Sequence, residues 1–267
     1  MRRLAVLGFP VAHSRSPAMQ NAALAELGLG GEWSYEAIEV APDRFEARVR
    51  AMPGEGFVGA NVTVPHKSAA LALADSLSET AREIGAANTL SFGDGEIRAD
   101  NTDAQGLLDA LPEPPAGTRA LVLGAGGAAR AIVWALLREG AEVEVWNRTE
   151  LRSRHLCEEL GGTPVESPGA SGYGIVVNST AVGLHGEDPF VELPLAAAGF
   201  AAGQVVVDMV YGAEPTPLLR AAESAGARTV DGLEVLVRQG AHSLRVWTGR
   251  EAPLDTMRAA AREPANF

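Results

Sequence analysis

A strand that leads through a glycine-containing turn into a helix constrains the fold of this chain more than any other feature. Residues 120–123 are apolar, the turn reads Gly124-x-Gly126-x-x-Ala129, and an apolar helix is predicted as far as Arg138. In such units the first glycine permits the tight turn, the second lets the backbone approach a pyrophosphate, and the small third residue lets helix and strand pack closely. Amides at the helix start bind anions. The segment therefore predicts dinucleotide binding, and it lacks the Gly-Lys-Ser/Thr sequence of a P-loop.

The next predicted strand, residues 141–146, ends at Asn147, twenty positions after Gly127. Enzymes that use NAD usually place an acidic residue there, whereas a nearby arginine accommodates the 2′-phosphate of NADP. Asn147 is neutral, and Arg148, Arg152 and Arg154 add positive charge to a chain of net charge −12. This cluster favours NADP. The alternative is a basic helix face that is merely solvated.

Position 67 holds the only lysine among the 22 lysines and arginines of the chain. Arginine stays protonated at any working pH, whereas lysine can release its proton when its surroundings favour that, so Lys67 indicates a titratable amine. The alternative is chance survival of one lysine in an arginine-rich composition. Asn61 and Thr63, on the strand predicted for residues 57–64, share one face. They point either to a ligand site beyond the strand's carboxyl end or to a satisfied polar pair in the core.

Two serines stand at the first predicted strand-to-helix junction. Ser16 followed by Pro17 has the form of an N-cap with proline at the first helical position, so it opens a predicted helix through Leu27. Capping requires only one of the two hydroxyls, and Ser14 is therefore a candidate for ligand binding as well. Plain capping remains the alternative.

A hairpin is predicted around Gly93-Asp-Gly95, which has strong turn chemistry. Asn88 and Asp103 flank this hairpin, so we expect them to lie close in space. Asp103 also fits the N-cap of a helix over residues 104–111, and the capping and catalytic interpretations are compatible.

Further elements complete an α/β pattern. A helix is predicted from Lys67 toward Glu83, and a proline-rich segment at residues 111–117 is a candidate interdomain linker. Four more strands, with the two already described, predict a doubly wound sheet, at residues 163–166, 173–179, 204–211 and 228–231. Met209 and Tyr211 lie at a strand end and are candidates to face a ligand, although methionine is equally suited to filling the core. Gln239 is polar within an apolar helix, residues 233–248, and a final helix over 254–263 is expected to pack on the first domain.

Composition excludes several classes of protein. A net charge of −12 argues against nucleic acid or an anionic membrane as the main partner. No apolar run approaches the roughly 20 residues of a membrane span, and the short apolar start reads as a strand and not as a signal peptide. The single cysteine, Cys157, excludes an internal disulfide and a multi-cysteine metal site, so we expect no metal. A cytoplasmic protein is expected, and either a monomer or a homodimer fits.

Eight motifs in this order resemble the shikimate dehydrogenase family over nearly the whole chain: His13-Ser-Arg-Ser-Pro17, Asn61-Val-Thr-Val-Pro-His-Lys67, Gly85-Ala-Ala-Asn-Thr89, Asp100-Asn-Thr-Asp103, Gly124-Ala-Gly-Gly-Ala128, Asn147-Arg-Thr149, Asp208-Met-Val-Tyr211 and Gln239-Gly. The resemblance implies that Lys67 and Asp103 form the catalytic pair. It implies that the substrate is held by this pair together with Ser14, Ser16, Asn61, Thr63, Asn88, Tyr211 and Gln239. It implies NADP binding by Gly124, Ala125, Gly126, Gly127, Ala128, Asn147, Arg148, Thr149, Arg152, Thr180, Val182, Met209, Gly232 and Glu79. Ala181 and Leu184 depart from the residues more common in the family.

The resemblance also implies an architecture and an activity. The expected fold is α/β with two domains: an N-terminal substrate domain with a mostly parallel sheet, residues 1–103 with 238–267, and a Rossmann-type NADP domain, residues 104–237. The expected reaction is the reversible NADPH-dependent reduction of 3-dehydroshikimate to shikimate in aromatic amino acid biosynthesis. The alternatives are a quinate/shikimate dehydrogenase with relaxed cofactor use and a non-catalytic nucleotide-sensing module on the same fold.

Overall fold

The structure, a computed structural model, describes residues 1–212 and 214–263. The chain forms two compact units, Met1–Gly106 with Leu236–Phe267, and Leu107–Val235. The limits of these units lie within a few residues of the domain limits expected from the sequence. The proline-rich segment 111–117 lies inside the second unit. The chain passes between the units at residues 106–107 and 235–236, and both positions lie within helices and not in that segment.

The first unit alternates strands and helices and ends in two helices. Its elements are β1 (Arg2–Gly8), α1 (Ser16–Glu26), β2 (Trp33–Glu39), α2 (Phe45–Ala51), β3 (Phe57–Val62), α3 (Lys67–Leu73), β4 (Ser76–Leu77), α4 (Glu79–Ile84), β5 (Thr89–Gly93), β6 (Glu96–Asp100), α5 (Asp103–Ala110), and later in the chain α10 (Gly232–Thr248) and α11 (Leu254–Arg262). Helices α5 and α10 begin or end in the second unit. Helix α11 packs on α1, as expected for the last helix.

The sheet of the first unit has the order β2-β1-β3-β5-β6-β4 and is mixed. Strand β1 pairs in parallel with β2 and β3, whereas β5 is antiparallel to β3 and β6. β1 lies between two neighbours and buries Leu4, Ala5 and Leu7 completely, as is typical of a strand covered on both faces. The β5–β6 turn has positive φ at Asp94 (52°) and Gly95 (80°), so the predicted hairpin is confirmed.

The second unit contains a fully parallel sheet. Its elements are β7 (Arg119–Leu123), α6 (Gly127–Arg138), β8 (Glu142–Trp146), α7 (Glu150–Leu160), β9 (Thr163–Pro164), β10 (Ile175–Asn178), α8 (Pro189–Glu192), β11 (Val205–Asp208), α9 (Pro217–Ser224) and β12 (Arg228–Asp231). The order β12-β11-β10-β7-β8-β9 is the doubly wound order of Rossmann folds, with its topological switch point between β7 and β10. The predicted fold class is therefore confirmed.

The single helix predicted from Lys67 toward Glu83 is wrong. Helix α3 ends at Leu73, and the backbone then pairs with β6 before α4 begins at Glu79. Asp75 donates its N–H to Ile97 O at 2.8 Å and accepts the Ile97 N–H on its carboxylate at 2.8 Å. Ser78 then caps α4 by accepting the Ala81 N–H. Pairing with a distant strand thus overrides a local helix preference.

Other predicted boundaries shift at strand ends. Strand β3 stops at Val62, so Thr63 lies just beyond it and does not share a strand face with Asn61. Strand β11 stops at Asp208, so Met209 and Tyr211 follow in irregular backbone. Among the described residues, no helix combines the length and the apolar character needed to cross a membrane.

We expect Gly59→Ala to destabilise the first unit by about 3 kcal/mol, because overpacking in a site that cannot relax is costly. A Cβ at Gly59 would lie 2.7 Å from Leu90 O and 2.2 Å from Trp247 Nε1, which itself donates to Leu90 O at 3.0 Å. Urea unfolding measures the change. Gly93→Ala is the matched control, since no described atom lies within 4 Å of its Cβ position; equal losses in both variants would contradict the steric argument.

Candidate active site

The only lysine of the chain forms a largely buried ion pair with Asp103. Lys67 is the first residue of α3 and Asp103 the first residue of α5. Lys67 Nζ donates to Asp103 Oδ2 at 2.5 Å, and the two side chains are 11% and 8% exposed. The other oxygen, Asp103 Oδ1, accepts from Asn88 Nδ2 at 2.9 Å. The structure thus brings together three residues that the sequence singles out.

The side chain of Asn101 forms hydrogen bonds that connect the start of α5, which carries Asp103, to the segment at Ala86. Its Oδ1 accepts the Asp103 N–H at 3.0 Å, and its Nδ2 donates to Ala86 O at 2.9 Å. The next residue, Ala87, donates its N–H to Lys67 O at 3.0 Å. The interpretation of Asp103 as the N-cap is therefore wrong: Asp103 is already helical, and Asn101 supplies the side-chain acceptor at this helix start.

The amide of Asn88 has its orientation fixed by the backbone. Asn88 Oδ1 accepts the Thr102 N–H at 2.8 Å, which an NH₂ group could not do. The Nδ2 therefore faces Asp103 and also donates to Gln239 Oε1 at 3.1 Å. Gln239 Nε2 donates in turn to Leu236 O at 2.7 Å. Gln239, predicted from a different part of the chain, joins the same cluster.

Asn61 and Ser16 are connected through a buried tyrosine that the sequence did not indicate. Tyr35 Oη donates to Asn61 Oδ1 at 2.8 Å. Burial raises the pKa of Tyr35 well above its ordinary value, and the hydrogen bond with the Ser16 hydroxyl opposes this. Ser14 Oγ accepts the Ser16 N–H at 3.2 Å. The prediction that Ser16 caps α1 is wrong, because Ser16 lies inside the helix and Arg15, which precedes it, makes no side-chain cap.

Thr63 lies apart from this hydrogen-bonded cluster. It is half-buried, and its hydroxyl makes no hydrogen bond within the described ranges. Its backbone N–H donates to Leu7 O at 2.8 Å. A Cβ on Gly8 would lie 2.5 Å from the Thr63 methyl carbon, so only glycine allows this close approach.

Three buried hydroxyls behind Asn61 and Asn88 escaped the sequence interpretation. Thr89 and Ser243 are completely buried and Thr102 is 5% exposed. Their oxygens lie 2.9 to 3.4 Å apart. Thr89 and Thr102 stand within motifs already quoted, and Ser243 lies one helical turn after Gln239, on the same face of α10. That spacing was the one available signal.

In the second unit, the glycine turn after β7 has the geometry expected of a nucleotide-binding turn. Gly124 has a φ of 116°, and a Cβ there would lie 2.6 Å from Ser179 Oγ, at the end of β10. Gly126 precedes α6 in extended conformation, and the space around its Cβ position contains no described atom within 4 Å. Ala129 is completely buried against the sheet. Ala125, Gly127 and Ala128 complete this turn.

The arginines after β8 differ in their pairing. Arg154 is bound to Glu150 one turn earlier, and this ion pair raises the pKa of Arg154. Arg148 and Arg152 are exposed, and neither forms a side-chain hydrogen bond or ion pair with any residue that the structure describes. Asn147 Nδ2 donates to the Thr149 carbonyl at 2.8 Å, which shapes the turn between them. Two unneutralised cations therefore stand at this strand end.

Asn178 and Asp208 organise the ends of β10 and β11. Asn178 Oδ1 accepts two hydrogen bonds from Thr180, one from its N–H at 3.1 Å and one from its hydroxyl at 2.7 Å. Asn178 Nδ2 donates to Val182 O at 3.2 Å and to Asp208 Oδ1 at 2.9 Å. Burial raises the pKa of Asp208, and hydrogen bonds, the first from Thr216, oppose this. The predicted cofactor residues Thr180 and Val182 are thus held by one amide.

Met209 and Gly232 are in direct backbone contact. The Met209 N–H donates to Asn178 O at 2.9 Å, and a Cβ on Gly232 would lie 2.4 Å from Met209 O. Tyr211 follows two residues later, half-buried. These positions, together with Thr180, surround the carboxyl ends of neighbouring parallel strands, where open α/β sheets bind ligands.

Two further residues, one predicted to bind the cofactor and the other the single cysteine, do not belong to the clusters described above. Glu79, predicted to contact the cofactor, is exposed at the start of α4 in the first unit, whereas the other predicted cofactor residues belong to the second. Cys157 is buried in α7, and burial raises the pKa of its thiol to about 11. Such a thiol is inert at neutral pH.

A nucleotide-type turn with free cations, and a lysine–carboxylate pair beside amides and hydroxyls, are the features of an NADP-dependent oxidoreductase. Family models match residues 6–90 (shikimate dehydrogenase substrate binding domain), 110–171 (shikimate/quinate 5-dehydrogenase) and 232–262 (shikimate 5′-dehydrogenase C-terminal domain). The chain belongs to the shikimate dehydrogenase family, as the sequence motifs indicate.

Similar proteins span nearly the full length of the chain. A shikimate dehydrogenase (NADP(+)) of Anaeromyxobacter sp. (strain Fw109-5) is 47% identical, with 97% of this chain and 95% of that protein covered. One of Methanopyrus kandleri is 44% identical, with 97% and 94% covered. The crystal structure of shikimate 5-dehydrogenase from Thermus thermophilus in complex with NADP(H) and shikimate is 44% identical, with a TM-score of 0.90 and coverage of 98% and 99%.

His66, immediately before Lys67, provides a test of how α3 is anchored. It is 2% exposed, its Nε2–H donates to Val40 O at 2.7 Å, and its ring stacks on Phe45 at 4.3 Å. Burial lowers the pKa of His66, and the hydrogen bond to Val40 opposes this. The unfolded chain therefore binds a proton near the ordinary histidine pKa of about 6.5, while the folded chain does so only at lower pH.

We expect the free energy of unfolding to fall as pH drops through about 6.5, and part of this loss to disappear in His66→Phe. Phenylalanine keeps the stacking on Phe45 and cannot take up a proton. Urea unfolding at several pH values between 5 and 8 measures both proteins, and the wild-type minus variant difference isolates His66 from other titrating groups. A difference that does not change with pH would contradict the assignment.

Proposed function

We propose that the chain catalyses the reversible NADPH-dependent reduction of 3-dehydroshikimate to shikimate. The Lys67–Asp103 pair is the observation that carries this proposal. An amine within 2.5 Å of a carboxylate, with both side chains largely shielded from water, can give or take a proton at a fixed place. Family membership and relatives named shikimate dehydrogenase (NADP(+)) support the reaction assigned to it.

In this proposal Lys67 is the acid–base residue. Bound NADPH supplies the hydride that the carbonyl carbon receives. Lys67 donates a proton to the carbonyl oxygen as it becomes an alcohol, and takes that proton back in the oxidation of shikimate. Asp103 keeps the ammonium in position, and its carboxylate has lone pairs left over to accept from a substrate hydroxyl. Each ketone thus takes up one hydride and one proton.

Polar groups of the first unit would hold the substrate. Ser14 Oγ accepts from the Ser16 backbone, so its own hydrogen remains free to donate to the substrate carboxylate. The half-buried Thr63 hydroxyl is equally available. Asn61, Asn88 and Gln239 present amides whose orientations are already fixed by protein contacts. Sites built from hydrogen-bonding groups strongly reject analogues that lack a hydroxyl. Ser16 completes the proposed set in this unit, and Tyr211, which belongs to the second unit, stays a prediction from the family resemblance.

The second unit would hold NADP. Its turn at Gly124–Ala128 and the uncapped amides at the start of α6 suit a pyrophosphate. Asn147, Arg148, Thr149 and Arg152 suit the 2′-phosphate, since guanidinium groups bind phosphate with two parallel hydrogen bonds. Thr180, Val182, Met209 and Gly232 would line the nicotinamide end. Glu79 stays a prediction from the family resemblance.

Replacement of the lysine tests the acid–base role. We expect Lys67→Ala to lower kcat for shikimate oxidation by about 10² to 10⁴, with little change in the KM for shikimate, because proton transfer is lost while the binding groups remain. Lys67→Arg keeps the positive charge beside Asp103 and loses the titrating amine, so it should be nearly as slow. Absorbance of NADPH follows both reactions, and near wild-type kcat in Lys67→Arg would end the proposal.

Replacement of the free arginines tests the cofactor site. We expect Arg148→Ala and Arg152→Ala each to raise the KM for NADP⁺ about tenfold, since a charge-assisted hydrogen bond to phosphate is removed, and to leave the KM for NAD⁺ unchanged. Arg154→Ala is the matched control, because Glu150 already neutralises that guanidinium. A similar rise in all three variants would show a general charge effect and not 2′-phosphate recognition.

Two other functions fit parts of the structure. A quinate/shikimate dehydrogenase with relaxed cofactor use would oxidise quinate and accept NAD⁺, although the neutral Asn147 stands where NAD enzymes usually have an acid. A nucleotide-sensing module would bind NADP without turnover. Initial rates with shikimate or quinate and with either cofactor separate these functions.

A further inference from the structure

Ser243 is a buried hydroxyl with four polar neighbours and no place in the function proposed above. It is completely buried in α10. Its Oγ lies 2.9 Å from Asn61 Nδ2, 2.9 Å from Thr89 Oγ1, 3.0 Å from Thr102 Oγ1 and 3.1 Å from Gln239 O. A serine hydroxyl has one hydrogen to donate and two lone pairs to accept. Its neighbours therefore restrict which bonds form.

The distances allow the hydrogens of this cluster to be assigned. Gln239 O can only accept and Asn61 Nδ2 can only donate, so Ser243 donates to the first and accepts from the second. Its remaining lone pair can accept from Thr102 Oγ1 at 3.0 Å or from Thr89 Oγ1 at 2.9 Å. We assign it to Thr102, because Thr89 lies nearer to the other acceptor, Asn88 Oδ1, at 3.0 Å against 3.2 Å for Thr102. The Thr89 hydroxyl then donates to Asn88 Oδ1 at 3.0 Å. Every hydroxyl hydrogen in the cluster thereby has one acceptor.

This arrangement fills both lone pairs of Asn88 Oδ1. One accepts the Thr102 N–H at 2.8 Å and the other accepts the Thr89 hydroxyl. The Asn88 NH₂ group then has only acceptors in front of it: Asp103 Oδ1 at 2.9 Å, Thr102 Oγ1 at 3.0 Å and Gln239 Oε1 at 3.1 Å. Without Ser243, the Thr102 hydroxyl would turn to Asn88 Oδ1, 3.2 Å away, and compete with Thr89 for it. Asn61 would also lose its shortest acceptor.

We propose that Ser243 is a positioning residue for the Lys67–Asp103 pair, acting through Thr102 and the amide of Asn88. The proposal rests on the proposed function in assigning proton transfer to that pair. Ser243 does not touch the reacting atoms in this scheme. It fixes the donor that holds Asp103 Oδ1, and therefore the place from which Lys67 gives its proton.

Ser243→Ala tests the proposal against Ser153→Ala. Ser153 is also completely buried in a helix, and its hydroxyl donates to the backbone carbonyl of Glu150 at 2.8 Å, without a polar cluster around it. We expect Ser243→Ala to lower kcat for shikimate oxidation about tenfold and to change the KM for NADP⁺ less than about twofold, whereas Ser153→Ala keeps the wild-type kcat. A wild-type kcat in Ser243→Ala, or a change confined to the KM for shikimate, would overturn the proposal.

A double-mutant cycle tests the route through Thr102. If both residues act on Asn88 by one path, Ser243→Ala combined with Thr102→Val should lower kcat much less than the product of the single effects. Ser153→Ala combined with Thr102→Val should give simple multiplication. Multiplicative effects in the Ser243 pair would overturn the route.

The NMR signals of the Asn88 side-chain NH₂ group give a readout that does not depend on turnover. In the substrate-free protein we expect them to shift and to exchange faster in Ser243→Ala, and to stay unchanged in Ser153→Ala. Unchanged signals would refute the positioning role whatever the assays show. Shifted signals in a chain that does not oxidise shikimate would instead refute the proposed function and retain the effect of Ser243 on Asn88.

Discussion

A charge pair shielded from water keeps its geometry only when its remaining donors and acceptors are also satisfied, because an unpaired polar group in the interior is costly. The Lys67–Asp103 pair meets this condition through Asn88, which donates to the carboxylate oxygen that the lysine leaves free. The backbone N–H of Thr102 fixes which end of the Asn88 amide faces the carboxylate. The geometry of the pair therefore depends on the orientation of one amide, which the backbone fixes.

The supports of this amide come from widely separated parts of the chain. Asn88 precedes β5, Thr102 follows β6, and Ser243 lies on α10, which returns to the first unit after the whole second unit has been made. The first unit is thus incomplete until its C-terminal helices dock. The discontinuity of the first unit therefore has a structural consequence. Ser243, which completes the polar cluster, is the last of the cluster residues in the chain, so the Lys67–Asp103 pair acquires its final environment only in the fully folded protein.

The candidate site positions could be predicted from sequence wherever the signal is local. The turn at Gly124 follows from a strand, two glycines and a helix, and the structure has the positive φ that this spacing requires. The hairpin at Asp94 and Gly95 is likewise encoded in adjacent residues. The proximity of Asn88 and Asp103 could be inferred because a hairpin brings its two flanks together.

Interactions between distant segments could not be read in this way. Residues 67–83 have helix-forming composition, yet Asp75 exchanges two hydrogen bonds with Ile97 and interrupts the helix. In the sequence, Tyr35 is an ordinary aromatic residue of a strand, and only the structure shows that its hydroxyl donates a hydrogen bond to Asn61. Ser16 has the sequence of a cap, but Ser14 provides the acceptor because the helix starts one residue earlier than the Ser-Pro pair suggests. Each error concerns the partner of a residue, which a single sequence does not contain.

The charge distribution explains how an acidic chain can be suited to a highly anionic cofactor. A net charge of −12 repels phosphate at long range, but salt screens such fields beyond about 8 Å at physiological ionic strength. Within that distance the pairing of each arginine decides its effect. Arg154 is paired with Glu150, whereas Arg148 and Arg152 have no acidic partner among the residues that the structure describes. In the proposed cofactor site, the positive charge for a 2′-phosphate comes from two unpaired guanidinium groups after β8, and this local charge is compatible with an acidic surface elsewhere.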